Sequence, residues 1–347
     1  MIRRRLRHAV AWRLRAVVGR LDSLTERSRT IEQRLAALEE KLDGVAEELH
    51  AGFAAIPQSL GDVAALRAAI DERVDPMLRV LVDRESENRR ALYALRSDPA
   101  YESAFTHPDP LVTIAIATVG REELLSRALP SLLSQSHTNL EILIVGDHSP
   151  PDVQEAVRSL GDPRVHYSNL TQRLAIHEDP WRRWLVGSTM ARNEAAHRAR
   201  GQWLIHFDDD DHMRPDTIAR LLAVAREQHA EVSYGGFEQH RPDGPSTTHI
   251  AFPPRWGGFA WPGALIHSGL RFFERELIAA HLALPGDIYM VTRMLRVGVR
   301  FALLDEIVLD YFPSTLWRGG KDAEQPSAAA ALLPHDWPSP ETGPRPG

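Results

Sequence analysis

The chain has 347 residues, no cysteine and a formal net charge of −6. This length is sufficient for more than one domain, the absence of cysteine excludes disulfides and thiolate metal ligands, and the acidic balance gives no reason to expect nucleic-acid binding. No apolar stretch reaches the roughly 18 residues of a membrane-spanning helix, and the arginine-rich start lacks the apolar core of a signal peptide. A cytoplasmic location is therefore expected.

Residues 1–104 are predicted to form a helical region that contains a coiled coil. Apolar residues recur from Leu14 to Leu49 at alternating steps of three and four, and Ser28 is the one polar member of this seam. The seam predicts self-association as a parallel dimer or trimer, with a helical hairpin packed on the chain's own core as the alternative. Gly52 and Pro57 interrupt the seam, and a looser helical pattern follows.

The start of the chain is strongly basic. Seven arginines between Arg3 and Arg20 alternate with apolar side chains such as Leu6 and Trp12. The pattern is typical of a helix lying on an anionic membrane surface, here the inner face, and equally of a solvated, basic start to the coiled coil. Both interpretations stay open at this stage.

From Leu111 onward the pattern changes to short apolar runs that alternate with helical segments, which predicts an α/β domain over residues 105–320. Right-handed crossovers would join the strands into a parallel sheet, whose carboxyl-end loops form one edge for ligands. A flexible tail rich in proline and alanine is expected over 321–347. We predict strands over 111–117, 140–145, 164–167 and 203–207, and helices over 121–135 and 188–200.

Four consecutive carboxylates, Asp208 to Asp211, directly follow the strand predicted over 203–207. Adjacent carboxylates repel one another unless a cation or a hydrogen-bonded ribose neutralises them, so the run predicts a metal and nucleotide-sugar site. A solvated acidic turn, or a helix N-terminus before Pro215, is the alternative.

Five ordered blocks between about Leu111 and Ser314 resemble the inverting nucleotide-sugar glycosyltransferases of the family-2 type, which have a GT-A fold. The resemblance implies a GT-A domain of the nucleotide-diphospho-sugar transferase type, preceded here by the all-α coiled-coil region. The blocks are Ile116–Arg121, Glu141–Ser149, Ala191–Gln202 with its Ala-Arg-Asn start, Asp208–Asp211 with Pro215-Asp216, and Gly286-Asp287 with Arg293.

The resemblance assigns a role to each site residue. Asp210 would bind Mn²⁺ or Mg²⁺ directly, and Asp208 or Asp209 would contact the metal, its water or the ribose. The other predicted nucleotide-sugar contacts are Thr118 and Asp147 beside the base, Arg121, and Arg192 on the nucleotide or its phosphates.

Asp287 is the predicted catalytic base, because inversion needs one carboxylate to take the proton from the acceptor hydroxyl. A helix N-cap before Ile288 is the alternative role for this side chain. The resemblance as a whole implies a metal-dependent transfer of a sugar from a nucleoside diphosphate to a hydroxyl of a glycan or lipid-linked acceptor, plausibly in cell-envelope glycan synthesis.

Several positions depart from the family pattern. Gly120 replaces an asparagine, Gly146 replaces an aspartate, and Gly286 replaces a glutamate, whose loss would leave Asp287 less basic. Trp256 and Trp261 fit either a lid over the acceptor site or ordinary packing, and His212 fits a surface position better than a metal ligand.

Two other functions remain as alternatives. A nucleotidyltransferase on a related fold would need a glycine-rich, basic loop after the first strand, and Thr118 to Arg121 is a poor version of one. The other alternative is a non-catalytic coiled-coil scaffold that carries a degenerate sugar-nucleotide domain.

Overall fold

The computed structural model describes residues 84–173, 185–241, 244–280, 282 and 284–313. The apolar seam, the basic N-terminus and the tail over 321–347 lie outside these residues, so the coiled coil, the oligomer, the membrane contact and the flexible tail remain predictions. Within the described part of the chain, no helix is both long enough and apolar enough to cross a membrane.

The described strands form one mixed sheet. In order across the sheet they run β3-β2-β1-β4-β8-β6-β9-β5, and β7 pairs with β6 at the side. Their bounds are β1 Val112–Thr118, β2 Leu140–Gly146, β3 Val165–Asn169, β4 Trp203–Asp208, β5 His212–Met213, β6 Val232–Gln239, β7 Thr247–His249, β8 Ala264–His267 and β9 Phe301–Tyr311.

The four strands predicted from the sequence all form, and they are mutually parallel. β1 pairs with β2 on one side and with β4 on the other, and β2 pairs with β3. The register aligns Thr118 with Gly146, and Ala117 with Asp208. The loops after β1, β2 and β4 therefore start at the same edge of the sheet.

The rest of the sheet departs from the parallel arrangement expected from the sequence. β8 is antiparallel to both β4 and β6, β9 is parallel to β6, and β5 is antiparallel to β9. Antiparallel neighbours need no helical crossover, so the pairing of β8 does not follow from the crossover rule by which the parallel half was predicted.

Helices cover both faces of the sheet. They are α1 over 84–97, α2 Ser103–Thr106, α3 Leu129–Leu133, which continues a π-helical turn over Leu124–Ala128, α4 Pro151–Ser159, α5 Thr189–Arg198, α6 Thr217–Glu227 and α7 Gly286–Val297.

Strand β1 shows how its alternating side chains divide the core. Ile114 and Ile116 lie in one buried cluster, whereas Ala115 and Ala117 lie in a second cluster on the opposite face. Helix α5 packs its own Ala191 and Ala195 into the second cluster, because small side chains allow the backbones to approach closely. This close packing brings the start of α5 to the sheet edge where the acidic run lies.

The described part of the predicted helical region packs on the sheet domain. Leu92 of α1 is buried, and Arg96 donates through Nε and Nη2 to the fully buried Glu231 at 2.7 and 3.0 Å. Tyr101 donates to the same carboxylate at 2.8 Å. Glu231 therefore ties α1 and the turn before α2 to the start of β6.

Candidate active site at the carboxyl edge of the parallel strands

The acidic run lies at the end of β4 and in the loop that follows it. Asp208 closes β4, and Asp209 to Asp211 form the turn into β5. This loop follows the parallel register of β1 and β4, so it lies beside the loop that begins at Thr118. The sequence prediction that these two segments meet at one sheet edge is confirmed by that pairing.

Asp209 is buried, and its carboxylate accepts from the loop after β1. The Thr118 hydroxyl donates to Oδ2 at 2.6 Å, and Arg121 Nη1 donates to Oδ1 at 2.7 Å. The Thr118 oxygen also accepts from the amide of Gly120 at 3.0 Å. Asp209 thus joins the two loops, and its own oxygens are already engaged by protein groups.

Asp210 lies among like charges with one cationic partner. Arg121 Nη1 donates to Oδ2 at 2.7 Å, yet burial and the charge of Asp208 raise the Asp210 pKa to about 7. The neighbouring Asp211 is fully buried, accepts from the amide of Phe312 at 3.0 Å, and has a pKa held well above its usual range by burial and Asp208.

These carboxylates fit a divalent cation. Asp208 and Asp210 offer the hard oxygen ligands that Mg²⁺ and Mn²⁺ prefer, and a bound cation would neutralise the charge that raises the Asp210 pKa. The Arg121 guanidinium lies 2.7 Å from Asp210 Oδ2. A metal bound through Asp210 would have to displace or share that contact.

Arg192 lies in the first turn of α5 and reaches the acidic run. Its Nη2 is 2.6 Å from Asp208 Oδ1, and the side chain keeps 14% exposure. Burial opposes ionisation of Asp208, but Arg192 and Arg275 outweigh it and lower the Asp208 pKa. The predicted contact of Arg192 with phosphates is compatible with this position, because its Nε and Nη1 have no hydrogen-bond partner among the described residues.

Asp147 occupies the end of β2, one strand away. Its amide donates to the Thr118 carbonyl at 2.7 Å, and its carboxylate lies 3.3 Å from Arg173 Nε. Ser149 donates to the same Thr118 carbonyl at 2.8 Å. The structure therefore brings Asp147 and Thr118 together through their backbones, and their contact with a base stays a prediction.

Asp287 lies in the first turn of α7. Its Oδ1 accepts from the amide of Ile288 at 2.7 Å, and its carbonyl accepts from Trp261 Nε1 at 3.2 Å. A carboxylate in a first helical turn is favoured by the helix dipole, but the N-cap is Pro285, so the N-cap role considered for Asp287 is not found. Its charge nevertheless acts on Arg192 and on Arg275, so Asp287 lies in the same electrostatic environment as Asp208.

Two histidines and a tryptophan near the site contact other protein side chains. Trp261 is 1% exposed and packs edge-on against Phe259 and His206, which is the packing role rather than the lid. His206 is buried. His212 Nδ1 lies 3.0 Å from Asp310 Oδ2.

Sequence reasoning did not single out Arg275. It lies in the loop before the short helical turn Leu277–Ala280, and its side chain shares the electrostatic environment of Arg192, Asp208 and Asp287. Two arginines four positions apart, Arg271 and Arg275, were the signal in the sequence that could have identified this residue.

A separate group of possible ligands lies at the end of β6 and on the neighbouring β9. One ligand atom each from Glu238, His240 and Asp310 lies within 4.8 Å of the others. Arg214 Nη2 contacts both carboxylates, at 2.8 Å in the case of Asp310. Because this guanidinium already contacts both carboxylates, we assign no metal to the group.

Residues 113–280 match the family model for glycosyl transferase family 2. Among curated relatives, the putative colanic acid biosynthesis glycosyl transferase WcaA of Escherichia coli K12 is 34% identical over 33% of this chain and 38% of its own length. The succinoglycan biosynthesis protein ExoO of Rhizobium meliloti is 26% identical over 63% of this chain and 59% of its own length.

A third relative is a Campylobacter jejuni GalNAc(5)-diNAcBac-PP-undecaprenol beta-1,3-glucosyltransferase, 27% identical over 35% of this chain and 37% of its length. The chain therefore spans less than two thirds of each of these relatives. Among solved structures, S. aureus TarS 1-349 in complex with UDP-GlcNAc aligns with a TM-score of 0.47 and 16% identity, over 59% of this chain and 58% of that one. This last likeness is too limited for conclusions about ligands.

Proposed function

Because the chain carries a glycosyl transferase family 2 domain, we propose that it is a metal-dependent inverting glycosyltransferase. It moves a sugar from a nucleoside diphosphate sugar to a hydroxyl of a glycan or lipid-linked acceptor. The observation that supports this most directly is the meeting of Thr118, Arg121, Arg192 and the acidic run at the carboxyl edge of the parallel strands.

The donor would bind across the loops after β1, β2 and β4. Thr118 and Asp147 would flank the base, and Arg192 would contact the phosphates with the N–H groups that its ion pair with Asp208 leaves free. Asp210, with Asp208, would hold the divalent cation. That cation, when bound, supplies positive charge to the diphosphate as it departs.

The transfer itself is one in-line displacement. The acceptor oxygen bonds to the anomeric carbon while the bond from that carbon to the β-phosphate oxygen breaks. The bonding pair stays on the phosphate oxygen, and the acceptor's proton passes to the Asp287 carboxylate. Trp261 Nε1 donates to the Asp287 carbonyl, and this hydrogen bond fixes the backbone that carries the proposed base at the start of α7.

The named relatives suggest the class of acceptor. Their descriptions refer to colanic acid, succinoglycan and an undecaprenol-linked glycan. A polymeric or lipid-linked glycan of the cell envelope is therefore the acceptor we propose, and a basic N-terminus at the inner face of the membrane would keep the enzyme near it.

Donor binding is tested by calorimetric titration of UDP, GDP, dTDP and CDP sugars, each with and without Mn²⁺. We expect one nucleotide class to bind, with an affinity that depends on Mn²⁺ in the wild type and no longer depends on it in Asp210→Ala. The matched control is Asp152→Ala, which removes an exposed aspartate of α4. If the wild type binds no nucleotide, the proposed glycosyltransferase function is contradicted and the non-catalytic coiled-coil scaffold is favoured.

The role of Asp287 is tested on the same protein. Asp287→Asn keeps the shape and the helix start but removes the base, so donor hydrolysis or transfer should fall about 10²–10⁴-fold while donor affinity stays unchanged. Asp305→Asn, at an exposed position on β9, serves as the control. Wild-type turnover in Asp287→Asn would exclude Asp287 as the base.

A further inference from the structure

Arg275 is a cation without a counter-ion among the described residues. No described carboxylate lies within 4.0 Å of it, and its buried Nε has no hydrogen-bond partner. Burial and the neighbouring charge of Arg192 lower its pKa to about 10, so the guanidinium is still charged at neutral pH. A charge removed from water without a partner destabilises a protein, which makes such a residue typical of a ligand site.

The backbone of Arg275 is fixed to the helix that carries Arg192. Asn193 accepts from the Arg275 amide at 3.1 Å through Oδ1, and donates to the Arg275 carbonyl at 2.9 Å through Nδ2. Asn193 directly follows Arg192 in α5. This two-point link holds the two guanidinium-bearing segments side by side.

Arg192 contributes donors without a hydrogen-bond partner at the same place. One of its nitrogens, Nη2, pairs with Asp208, whereas its buried Nε and Nη1 have no partner in the described chain. Burial lowers the pKa of His206, and the charges of Arg275 and Arg192 lower it further, so both guanidinium groups act on this one side chain. Two planar guanidinium groups with several free N–H donors match the oxygens of a phosphate.

We propose that Arg275, together with Arg192, binds the diphosphate of the donor sugar and stabilises it as it leaves. The inference rests on the function proposed above and adds a second cation to the phosphate site. The diphosphate gains one negative charge when its bond to the anomeric carbon breaks, so donors already fixed around it stabilise the departing group. The donor, rather than a diphosphate-linked acceptor, is favoured because Arg192 contacts the acidic run directly.

The test is calorimetry on the full chain with Mn²⁺, using UDP, GDP, dTDP and CDP, the corresponding nucleosides, and geranyl diphosphate as a lipid diphosphate probe. In Arg275→Met we expect the affinity for the bound nucleoside diphosphate to fall about 10- to 100-fold, and the affinity for its nucleoside to stay unchanged. Arg275→Lys keeps the charge but lacks the planar guanidinium, so its affinity for the nucleoside diphosphate should lie between those of the wild type and Arg275→Met.

The matched control is Arg271→Met in the same segment. Arg271 donates to the carbonyls of Ser268 and Ala199 at 3.0 and 2.6 Å, so its donors are satisfied within the protein. Arg271→Met should leave the diphosphate affinity unchanged. It should lower the melting temperature without ligand, whereas Arg275→Met should leave that temperature unchanged or raise it, because it removes an unpaired charge.

The outcomes separate the two proposals. If the wild type binds no nucleoside diphosphate, the proposed function fails and the role of Arg275 fails with it. If the wild type binds but Arg275→Met binds equally well, only the role of Arg275 is overturned. An equal loss for nucleoside and diphosphate, or a loss confined to geranyl diphosphate, would also overturn it.

Discussion

Two glycines at the sheet edge explain departures from the family pattern. A Cβ on Gly146 would overlap Asn169 Oδ1 and lie 2.5 Å from the Tyr167 hydroxyl, so an aspartate there would require these side chains to move. Gly120 has φ of +95°, and its Cβ would lie 2.9 Å from Val153. Side chains of β3 occupy the space at Gly146, and a side chain of α4 occupies the space at Gly120.

The hydrogen bonds of His267 require its imidazole to be neutral. Its Nδ1 accepts from the Gly269 amide at 3.0 Å, so the proton lies on Nε2, which is 3.2 Å from the Tyr101 carbonyl. Burial lowers the His267 pKa, with the hydrogen bond to Tyr101 opposing this shift. Protonation of Nδ1 would break the contact with Gly269.

We therefore predict that His267 makes the fold sensitive to acid. The unfolded chain takes up a proton near pH 6.5 while the folded chain does not, so this stability is present above that pH and is lost as the pH falls below it. Urea unfolding at pH 7.5 and 5.5 should show a smaller decrease in unfolding free energy for His267→Gln than for the wild type. The exposed His166→Gln should behave as the wild type, and equal decreases in all three proteins would contradict the prediction.

At the scale of elements, the start of α7 is held by a buried indole. Trp261 Nε1 donates to the Asp287 carbonyl, while Trp203 Nε1 makes a comparable bond to the Ala104 carbonyl at 3.0 Å, at the other end of β4. Both rings are fully buried. The two tryptophans thus make the same kind of bond, one near the proposed base and one far from it.

We predict that Trp261→Phe reduces turnover more than it reduces stability. Phenylalanine keeps most of the packing but loses the hydrogen bond, worth about 1 kcal/mol, that positions the proposed base. Steady-state kinetics should show a lower kcat with little change in donor KM. Trp203→Phe should lower the melting temperature similarly and leave kcat unchanged, and an equal loss of kcat in both variants would contradict a positioning role for Trp261.

The parallel strands were predictable because each is a short apolar run next to a helical segment. The strands of the other half were not. β8 has four residues and β5 only two, too few for a period to be recognised, and the longer β6 and β9 are interrupted by Gly235-Gly236 and by Asp305-Glu306. The edge loops were predictable for the same reason as the parallel strands. Arg275 was not, because its importance comes from Asn193, 82 positions away in the chain, and no local pattern records such a contact.

At the scale of the whole molecule, the predicted coiled coil rests on the sequence alone. The apolar seam from Leu14 to Leu49 lies outside the described residues, whereas α1, from residue 84, packs on the sheet domain through Arg96 and Glu231. If the seam forms a coiled coil, each catalytic domain is attached to an oligomer through a helix that is itself part of that domain's packing. Oligomerisation would then bring several active sites to one acceptor surface and raise their effective concentration there.

We predict that Leu35→Lys combined with Leu42→Lys dissociates the full-length chain. Both positions lie in the seam, and charges there would face each other in a dimer or trimer. Light scattering after size exclusion should give an oligomer for the wild type and a monomer for the double variant, with nucleotide affinity retained because the site lies in the sheet domain. Glu40→Lys combined with Glu47→Lys makes a larger change of charge outside the seam and should remain oligomeric. A monomeric wild type would instead favour the helical hairpin, and the basic N-terminus would then act on the membrane as a single copy, too weakly for stable attachment without further contacts.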